Sequence, residues 1–533
     1  MLSRWAILAA SCAALVTGAV PALAQKSGGT LRISHRDNPP SASIHEESTI
    51  SVNQPFMAVF NNLVVFDPNE KVNSPDHIVP DLAESWSYNN DNTQLTFKLR
   101  HGVKWHDGKP FTSADVKCTW DALTGHADEK TAILRKNPRK LWYSNLKEVK
   151  TNGDFEVTFV LGRPQPSFLA MLAGGYSPVY SCHVPERVMR SKPIGTGPFK
   201  VVDFKRNESI KLVKNPDYWK KGRPYLDAIE WKIVPNRSTR MLGFQSGEFD
   251  MTFDSDVTFP LLKDVKANKP NAVCEARPTN VSSNLLVNRD KEPFNNPDIR
   301  KAMVLALDIH AFSQILSQGH DLEGAAMLPP PAGFWGMPKE QLATLLGHSA
   351  DHKKSLAEAQ ELMKKAGYGP DKPLKIKIST RNIAIYRDPA VILIDQLKQI
   401  YIDGELEPID TTVWYTKIQR GDYQVGMNLT GVGIDDPDVN FYENYYSTSD
   451  RNYSRYKNPE VDKLIEQQSA EVDRDKRKQL VWKIEKILAD DVARPIIGYN
   501  VANTCWDPKV KGLVLQVNSI YNGWRFDDVW LDK

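Results

Sequence analysis

The stretch of sequence between Thr412 and Tyr446 is rich in side chains that could hold a small polar solute. Its aromatic residues lie around a group of glycines and aspartates, and the set comprises Trp414, Tyr415, Tyr423, Phe441, Tyr442, Tyr445, Tyr446, Gly431, Gly433, Asp435, Asp436 and Asp438. Aromatic rings provide apolar walls with polar tips, carboxylates hold a cation, and glycine lets the backbone approach a ligand closely. The pattern indicates a binding site for a zwitterionic or polyhydroxylated molecule. A second interpretation stays open, in which the rings form a core and the aspartates form a turn before Pro437.

Residues arranged for covalent or metal chemistry are missing from the sequence. The run 243–247 lacks the spacing of a nucleophile elbow, and His45-Glu46 is not followed by the second histidine of a zinc-binding helix. His348 and His352 have a helical spacing that suits two metal ligands, but no third ligand accompanies them. We therefore expect no catalytic residue, no metal site, no cofactor and no enzyme.

A secreted hydrolase with paired aspartates is the alternative from another functional class. Such an enzyme places two carboxyl groups on either side of one bond. Asp435 and Asp436 are adjacent, so in an extended segment their side chains point to opposite faces and cannot easily flank a bond. An envelope chaperone, which would hold unfolded segments in an open apolar cleft, is a third interpretation.

Charge and hydropathy argue against two further classes of protein. The chain has 68 lysines and arginines against 65 aspartates and glutamates, a net charge of +3, without a long basic run. This balance argues against a nucleic-acid partner. After the first 24 residues no stretch approaches 18 consecutive apolar residues, which predicts a soluble protein, and we expect a monomer.

The first 24 residues have the three parts of a secretory signal peptide. Arg4 supplies the positive charge, Trp5–Val20 the apolar region, and Ala22-Leu23-Ala24 the small-residue cleavage site. The apolar run of 16 residues is short for a membrane anchor, which needs about 20. We expect cleavage after Ala24 and a periplasmic product.

Four cysteines follow the predicted cleavage site: Cys118, Cys182, Cys274 and Cys505. None belongs to a C-x-x-C pair, which disfavours zinc. An oxidising compartment permits up to two disulfides with three alternative pairings, and buried free thiols remain equally open.

Short strands and amphipathic helices alternate along the chain, which predicts an α/β fold. Apolar residues recur at every second position in 95–99, 155–159, 229–233 and 374–378, the pattern of half-buried strands. A helix is expected from Asn296-Pro297 onward, since asparagine caps and proline opens helices. No flexible linker separates these elements, so relative motion of rigid lobes is expected to be hinge-like.

Several segments, in order along the chain, resemble the family 5 extracytoplasmic solute-binding proteins, the dipeptide- and oligopeptide-binding components of ABC importers. The strongest is PDLAESW at 80–86 followed by RHGVKWHDGKPFTSADV at 100–116. Further similar segments are GGTLR at 28–32, PIGTGPF at 193–199, NPDYW at 215–219, NPDIRKA at 296–302, AGY at 366–368 and YKNPEVD at 456–462. The resemblance extends over nearly the whole chain after residue 24.

The resemblance implies a two-lobed type II periplasmic-binding fold with an additional inserted domain. Its segments would be a signal peptide (1–24), a first segment of lobe 1 (25–57), an inserted domain (58–190), a middle segment of lobe 1 (191–279), lobe 2 (280–498) and a last segment of lobe 1 (499–533). Two strands would cross between the lobes near Thr279–Ser283 and Ile496–Asn500. A ligand buried between closing lobes would be delivered to the transmembrane permease subunits of an ABC transporter.

The resemblance also implies a ligand site with one departure from the family. Peptide-binding members hold the peptide amine on an aspartate that aligns here with Gly433, so Asp435 would have to replace it or the amine contact would be absent. The expected ligand-binding residues are Trp414, Gly433, Asp435, Asp436, Tyr442 and Ser283. The expected ligand is a peptide or peptide-like solute, with opines, oligosaccharides, glutathione or metal chelates as alternatives of the same fold.

Overall fold

A computed structural model describes residues 25–127 and 137–533. The predicted signal peptide, residues 1–24, lies outside the described residues. The strands are β1 (Thr30–His35), β2 (Val64–Phe66), β3 (Ile78–Pro80), β4 (Ala83–Tyr88), β5 (Gln94–Leu99), β6 (Leu146–Thr151), β7 (Glu156–Leu161), β8 (Phe199–Lys205), β9 (Ser209–Lys214), β10 (Ala228–Ile233), β11 (Val273–Val287), β12 (Leu374–Arg381), β13 (Ile402–Ile409), β14 (Val425–Gly431), β15 (Ile496–Trp506), β16 (Val510–Lys511) and β17 (Trp530–Leu531). The helices are α1 (Ile50–Phe56), α2 (Ser113–Thr124), α3 (Phe168–Ala173), α4 (Glu186–Met189), α5 (Arg237–Gln245), α6 (Phe259–Asn268), α7 (Pro297–Leu305), α8 (Ile309–Ser317), α9 (Lys339–Leu342), α10 (His352–Lys365), α11 (Ala384–Lys398), α12 (Thr411–Arg420), α13 (Pro437–Asn444), α14 (Pro459–Ala470) and α15 (Arg474–Asp490).

A four-stranded sheet, in the order β1-β10-β9-β8, is built from the first part of the chain. β1 pairs in parallel with β10, while β9 pairs antiparallel with both β10 and β8. Leu31, Ile33, Ile229 and Trp231 are fully buried, as the alternating pattern predicts. We call this the first sheet.

A five-stranded sheet, in the order β13-β12-β14-β11-β15, is built from the later part of the chain. β12 pairs in parallel with β13 and β14, whereas β11 pairs antiparallel with β14 and β15. Helices cover it through a separate apolar core that includes Ile376, Ile378, Leu393 and Met303. We call this the second sheet.

The long strands β11 and β15 connect the two sheets. Their pairing shifts register between Pro278 and Ser282, near the predicted crossing points, and Asn280 there has a φ of 53°. Beyond this irregularity, Trp506 pairs with Met251, which in turn pairs with Ile33 of β1. The two sheets are therefore linked through a pair of strands with a local break in their regular pairing.

A third, antiparallel sheet has the order β4-β5-β7-β6 and lies within the predicted inserted domain. Helix α2 packs on it, and the disulfide Cys118–Cys182 ties that helix to the segment before α4. A second disulfide, Cys274–Cys505, joins β11 to β15. The structure thus selects one of the three pairings that the sequence leaves open. The exact segment boundaries given above stay predictions.

Local signals agree with the helices that they predict. Asn296 caps α7 by accepting a hydrogen bond from the Asp298 backbone N–H at 2.9 Å. Gly367, just beyond α10, has a φ of 89°, a conformation that glycine adopts without strain. Across the described ranges, no helix is both long enough and apolar enough to span a membrane.

Candidate functional site

Residues of the second sheet and residues next to the first sheet line a cleft of about 450 Å³, including its part open to solvent. The loop after β1 and the start of α1 contribute lining residues from the first half of the chain. The ends of β12 and β14 contribute lining residues from the second half. The residues that line it are Arg36, Ser48, Thr49, Ile50, Ser255, Thr279, Val281, Arg381, Ile385, Tyr386, Tyr415, Leu429, Gly431, Arg451, Asn500, Ile520 and Tyr521. We call this space the central cleft.

The central cleft continues in two directions. One extension shares Ser48 and Tyr415 with it and opens into a wide space beside α12. The other shares Ser255, Ile385 and Asn500 with it and runs along β15. The three spaces therefore neighbour one another and share part of their walls, and we call them together the trench.

Arg381, the last residue of β12, organises one wall of the central cleft. Its Nη2 donates to Asp37 Oδ2 at 2.5 Å, which joins the second sheet to the loop after β1. Its Nη1 donates to the Tyr386 hydroxyl at 2.8 Å, and its Nε to Thr411 Oγ1 at 3.0 Å. Because Asp37 also accepts from Ser51 at 2.9 Å, the position of this guanidinium is set from both sides of the cleft.

Arg36 lines the opposite wall and is the residue next to Asp37. Its guanidinium carbon lies 4.7 Å from the centre of the Phe253 ring. Its Nε and Nη1 are buried and have no hydrogen-bond partner. Burial lowers the pKa of Arg36, because removing a guanidinium from water disfavours its charged form. A buried cation of this kind is costly unless an anion joins it.

Arg451 adds a third guanidinium to the cleft. Its Nη1 pairs with the carboxylate of Glu443, while its Nε has no partner. Among the described residues that line the central cleft there are thus three arginines and no aspartate or glutamate. The electrostatic character of the site is positive, in contrast to the carboxylate-rich site that the sequence pattern indicates.

Tyrosine rings form the apolar part of the walls. The rings of Tyr521 and Tyr176 lie 4.9 Å apart, and burial raises the pKa of Tyr521 to about 12. These hydroxyls therefore stay protonated at neutral pH and can donate hydrogen bonds to a ligand. Gly431 is needed beside Tyr521, since a β-carbon at this position would collide with its ring.

Asp435 and Asp436, two of the expected ligand-binding residues, lie outside the lining of the central cleft. Asp435 Oδ2 accepts a hydrogen bond from the Phe334 backbone N–H at 2.7 Å, and burial raises the pKa of this carboxyl to about 7. Asp436 caps α13 and pairs with Arg477, with 2.7 Å between Oδ1 and Nη2. These contacts occupy the side chain of Asp436, whereas Asp435 Oδ1 is buried without a partner. The role of the two aspartates in ligand binding stays a prediction, and neither residue lines the central cleft.

The four other expected ligand-binding residues also lie outside the lining of the central cleft, and one of them lines a neighbouring space. Trp414 is fully buried in a cluster with Leu286, Ile418 and Tyr453, and Tyr442 accepts a hydrogen bond from Arg163 at 3.1 Å. The Gly433 carbonyl accepts hydrogen bonds from Ser519 and Asn522. Ser283 lines the trench along β15, where its hydroxyl donates to Asn500 at 3.1 Å.

Sequence reasoning missed the arginines and located only part of the site. From the segment 412–446, Tyr415 and Gly431 line the central cleft. Arg36 and Arg381 each come directly after, or at the end of, a strand with alternating apolar residues. A charged residue at a strand end is the signal that could have found them, because ligands bind at the ends of strands in open α/β sheets.

Comparisons with known proteins agree with this architecture. Residues 77–453 match the family described as bacterial extracellular solute-binding proteins, family 5. The chain is 28% identical to heme-binding protein A of Haemophilus influenzae, over 87% of this chain and 86% of the relative. It is 26% identical to the oligopeptide-binding protein OppA of Bacillus subtilis, over 84% and 85%. The periplasmic binding protein DppA from Helicobacter pylori, solved in complex with the peptide STSA, superposes with a TM-score of 0.82 at 24% identity, over 95% of this chain and 99% of that one.

Proposed function

Because the chain belongs to the bacterial extracellular solute-binding proteins of family 5, we propose that it captures a small polar solute, a peptide or a peptide-like molecule. It then delivers this solute to the permease subunits of an ABC importer. The relatives named for oligopeptides and for the peptide STSA support the peptide class. A non-peptide solute on the same fold is the alternative, and the relative named for heme is an example.

One observation carries the proposal: a polar trench lies between two sheets that are linked by β11 and β15. A solute that binds in such a trench contacts both sheets at once and therefore favours the form in which they are close together. This mechanism needs no bond to be made or broken. Binding without turnover is the proposed activity, with no enzymatic step.

The proposal includes the organisation of the chain. Lobe 1 comprises 25–57, 191–279 and 499–533, lobe 2 comprises 280–498, and the extra domain comprises 58–190. The mature protein is a periplasmic monomer that begins at Gln25. Intact-mass measurement of the secreted chain tests this start, and a mass that includes residues 1–24 would contradict it.

Ligand-induced stabilisation tests the proposed activity. The protein is purified from its own periplasm, and the bound solute is released, identified and added back. At a concentration one hundred times its Kd, a solute that binds only the folded state stabilises it by about 2.7 kcal/mol, which raises the melting temperature by several degrees. The solute should be recovered chemically unchanged. Conversion to a product, or no stabilisation by any solute found with the protein, would contradict the proposal.

A further inference from the structure

We infer that the central cleft selects a solute with an oxyanion group, a carboxylate or a phosphate, which binds to the unpartnered guanidinium of Arg36. This inference rests on the proposed function and narrows its ligand class. The solute need not carry an ammonium group. Its acidic end, instead of an amine, would be the group that the protein recognises through charge.

The environment of Arg36 is the first observation behind this inference. Arg36 is 5% exposed, and two of the three nitrogen atoms of its guanidinium, Nε and Nη1, are buried without a hydrogen-bond partner. The neighbouring Asp37 is bonded to Arg381, and the nearby Asp256 is bonded to Arg240. Each of these two N–H donors can bond to an oxygen of an oxyanion, and both carry the positive charge of the guanidinium, so Arg36 is a recognition element of the right chemistry.

The charge balance of the central cleft is the second observation. Within the described lining, Arg381 pairs with Asp37 and Arg451 pairs with Glu443, whereas Arg36 has no carboxylate within ion-pair distance. One positive charge is therefore left over in the central cleft. An anionic solute neutralises it, and a cationic solute would add a second unpaired charge to the same buried space.

The absence of an acceptor for ammonium is the third observation. Gly433 has no side chain that could accept a hydrogen bond, and Asp435 and Asp436, which bond to Phe334 and Arg477, lie outside the lining of the central cleft. The hydroxyls of Tyr386 and Tyr415 line the cleft, and such groups can donate to oxygen atoms as well as accept. The central cleft thus offers several donors around a cation.

The experiment uses a set of small probes that differ in charge. N-acetyl-dialanine carries only a carboxylate, dialanine is zwitterionic, dialanine amide carries only an ammonium, and N-acetyl-dialanine amide is neutral. Inorganic phosphate separates phosphate from carboxylate recognition. The melting temperature and the affinity of the mature protein are measured with each probe at low ionic strength, because salt screens the interaction.

Two variants of Arg36 and one control accompany the wild-type protein. Arg36→Gln removes the charge, and Arg36→Lys keeps the charge but loses the planar set of N–H donors. Arg494→Gln is the matched control, since Arg494 is also buried with unpartnered nitrogen atoms but lies outside the central cleft. Circular dichroism and unfolding without probe show whether each variant is folded. Since Arg36 has no partner in the unliganded cleft, Arg36→Gln is expected to be at least as stable as the wild type.

The expected result is that N-acetyl-dialanine or phosphate stabilises the wild-type protein and that dialanine amide does not. Arg36→Gln should lose about a hundredfold in affinity for that anion, Arg36→Lys clearly less, and Arg494→Gln less than threefold. An equal affinity of Arg36→Gln and the wild type for the anions would overturn the inference. So would stabilisation by the neutral or cationic probes alone, or by none of them.

The identity of the solute that co-purifies with the protein shows whether the oxyanion inference alone is wrong or the proposed function is wrong as well. A neutral or cationic solute, bound reversibly and unchanged, would overturn the oxyanion inference and leave the solute-binding function intact. A chemically converted solute would count against the function itself. An acidic solute whose binding is lost in Arg36→Gln supports both.

Discussion

Asp37 and Arg381 are 344 residues apart in the sequence, yet their side chains form an ion pair of 2.5 Å that spans the cleft between the two large sheets. Asp37 follows β1 of the first sheet, and Arg381 ends β12 of the second. Both side chains are almost completely buried. This pair is therefore a direct link between the two sides of the central cleft.

Loss of this ion pair is expected to open the cleft. In Asp37→Asn the buried Arg381 loses its charge partner, which costs about 3–5 kcal/mol in the form where the sheets are close. The population of the closed form should fall, and the radius of gyration of the ligand-free protein, measured by small-angle X-ray scattering, should increase.

An exposed pair in the neighbouring space along β15 provides the control for this prediction. Arg237 of α5 bonds to Asp388 of α11 at 3.0 Å, but the Asp388 side chain is 46% exposed. Exposed pairs contribute only about 0–1 kcal/mol, so Asp388→Asn should leave the radius of gyration unchanged. Equal behaviour of the two variants would show that Asp37 does not hold the cleft closed.

The stability of the protein should depend on pH through Asp435. Burial raises the pKa of this carboxyl from 3.8 to about 7, so the folded state binds its proton more tightly than the unfolded state. Its contribution to stability is fully present below pH 3.8 and is lost as the pH rises through about 7. Asp435→Asn should therefore raise the free energy of unfolding at pH 8 by about 2 kcal/mol and leave it nearly unchanged at pH 4.

Asp436→Asn is the matched variant for the neighbouring carboxyl. Burial raises the pKa of Asp436 as well, but its charged form pairs with Arg477. Asp436→Asn leaves the buried Arg477 without this partner, so it should lower the free energy of unfolding at pH 8. Urea unfolding at pH 4 and pH 8 measures both variants. A gain in stability for Asp436→Asn, or a loss for Asp435→Asn at pH 8, would contradict the assignment of their environments.

Two glycines of the same segment should respond differently to alanine. A β-carbon on Gly431 would collide with the ring of Tyr521, a residue that lines the central cleft, whereas one on Gly433 would lie 3.4 Å from Trp142 and Tyr176. Gly431→Ala should lower the free energy of unfolding by about 1–3 kcal/mol and weaken ligand binding, because the ring must move. Gly433→Ala should change stability by less than about 1 kcal/mol. Thermal unfolding and ligand titration measure both, and the reverse order would refute the predicted close approach.

The two disulfides should contribute unequally to stability. Cys118–Cys182 closes a separation of 64 residues and Cys274–Cys505 one of 231, so the second constrains the unfolded chain more. On a chain-entropy basis, each bond contributes roughly 2–5 kcal/mol and the longer loop about 1 kcal/mol more. Urea unfolding of the two double cysteine-to-alanine variants tests this order. Equal losses would indicate that strain or native contacts, not loop length, decide the contribution.

Local sequence patterns predicted strands correctly where apolar residues recur at regular spacing, and they predicted a helix start from its capping residue. The alternation at 95–99 and 229–233 corresponds to β5 and β10, and Asn296-Pro297 begins α7. Such patterns are reliable because each side chain reports the face on which it lies. The family resemblance supplied the connection of these elements into a solute-binding fold, which the comparisons confirm.

The residues of the central cleft are brought together by contacts that no local pattern reports. The sequence by itself determined the α/β elements, the family and the segment from which Tyr415 and Gly431 reach the cleft. Only the tertiary structure determined the contacts of the charged side chains. Asp435 accepts a hydrogen bond from the Phe334 backbone, and Asp37 pairs with Arg381. Arg36 Nε and Nη1 have no hydrogen-bond partner. The physical reason is that the partner of a buried charge is chosen by the packing of distant strands, here 344 residues apart, and this partner decides whether the charge is free to bind a solute.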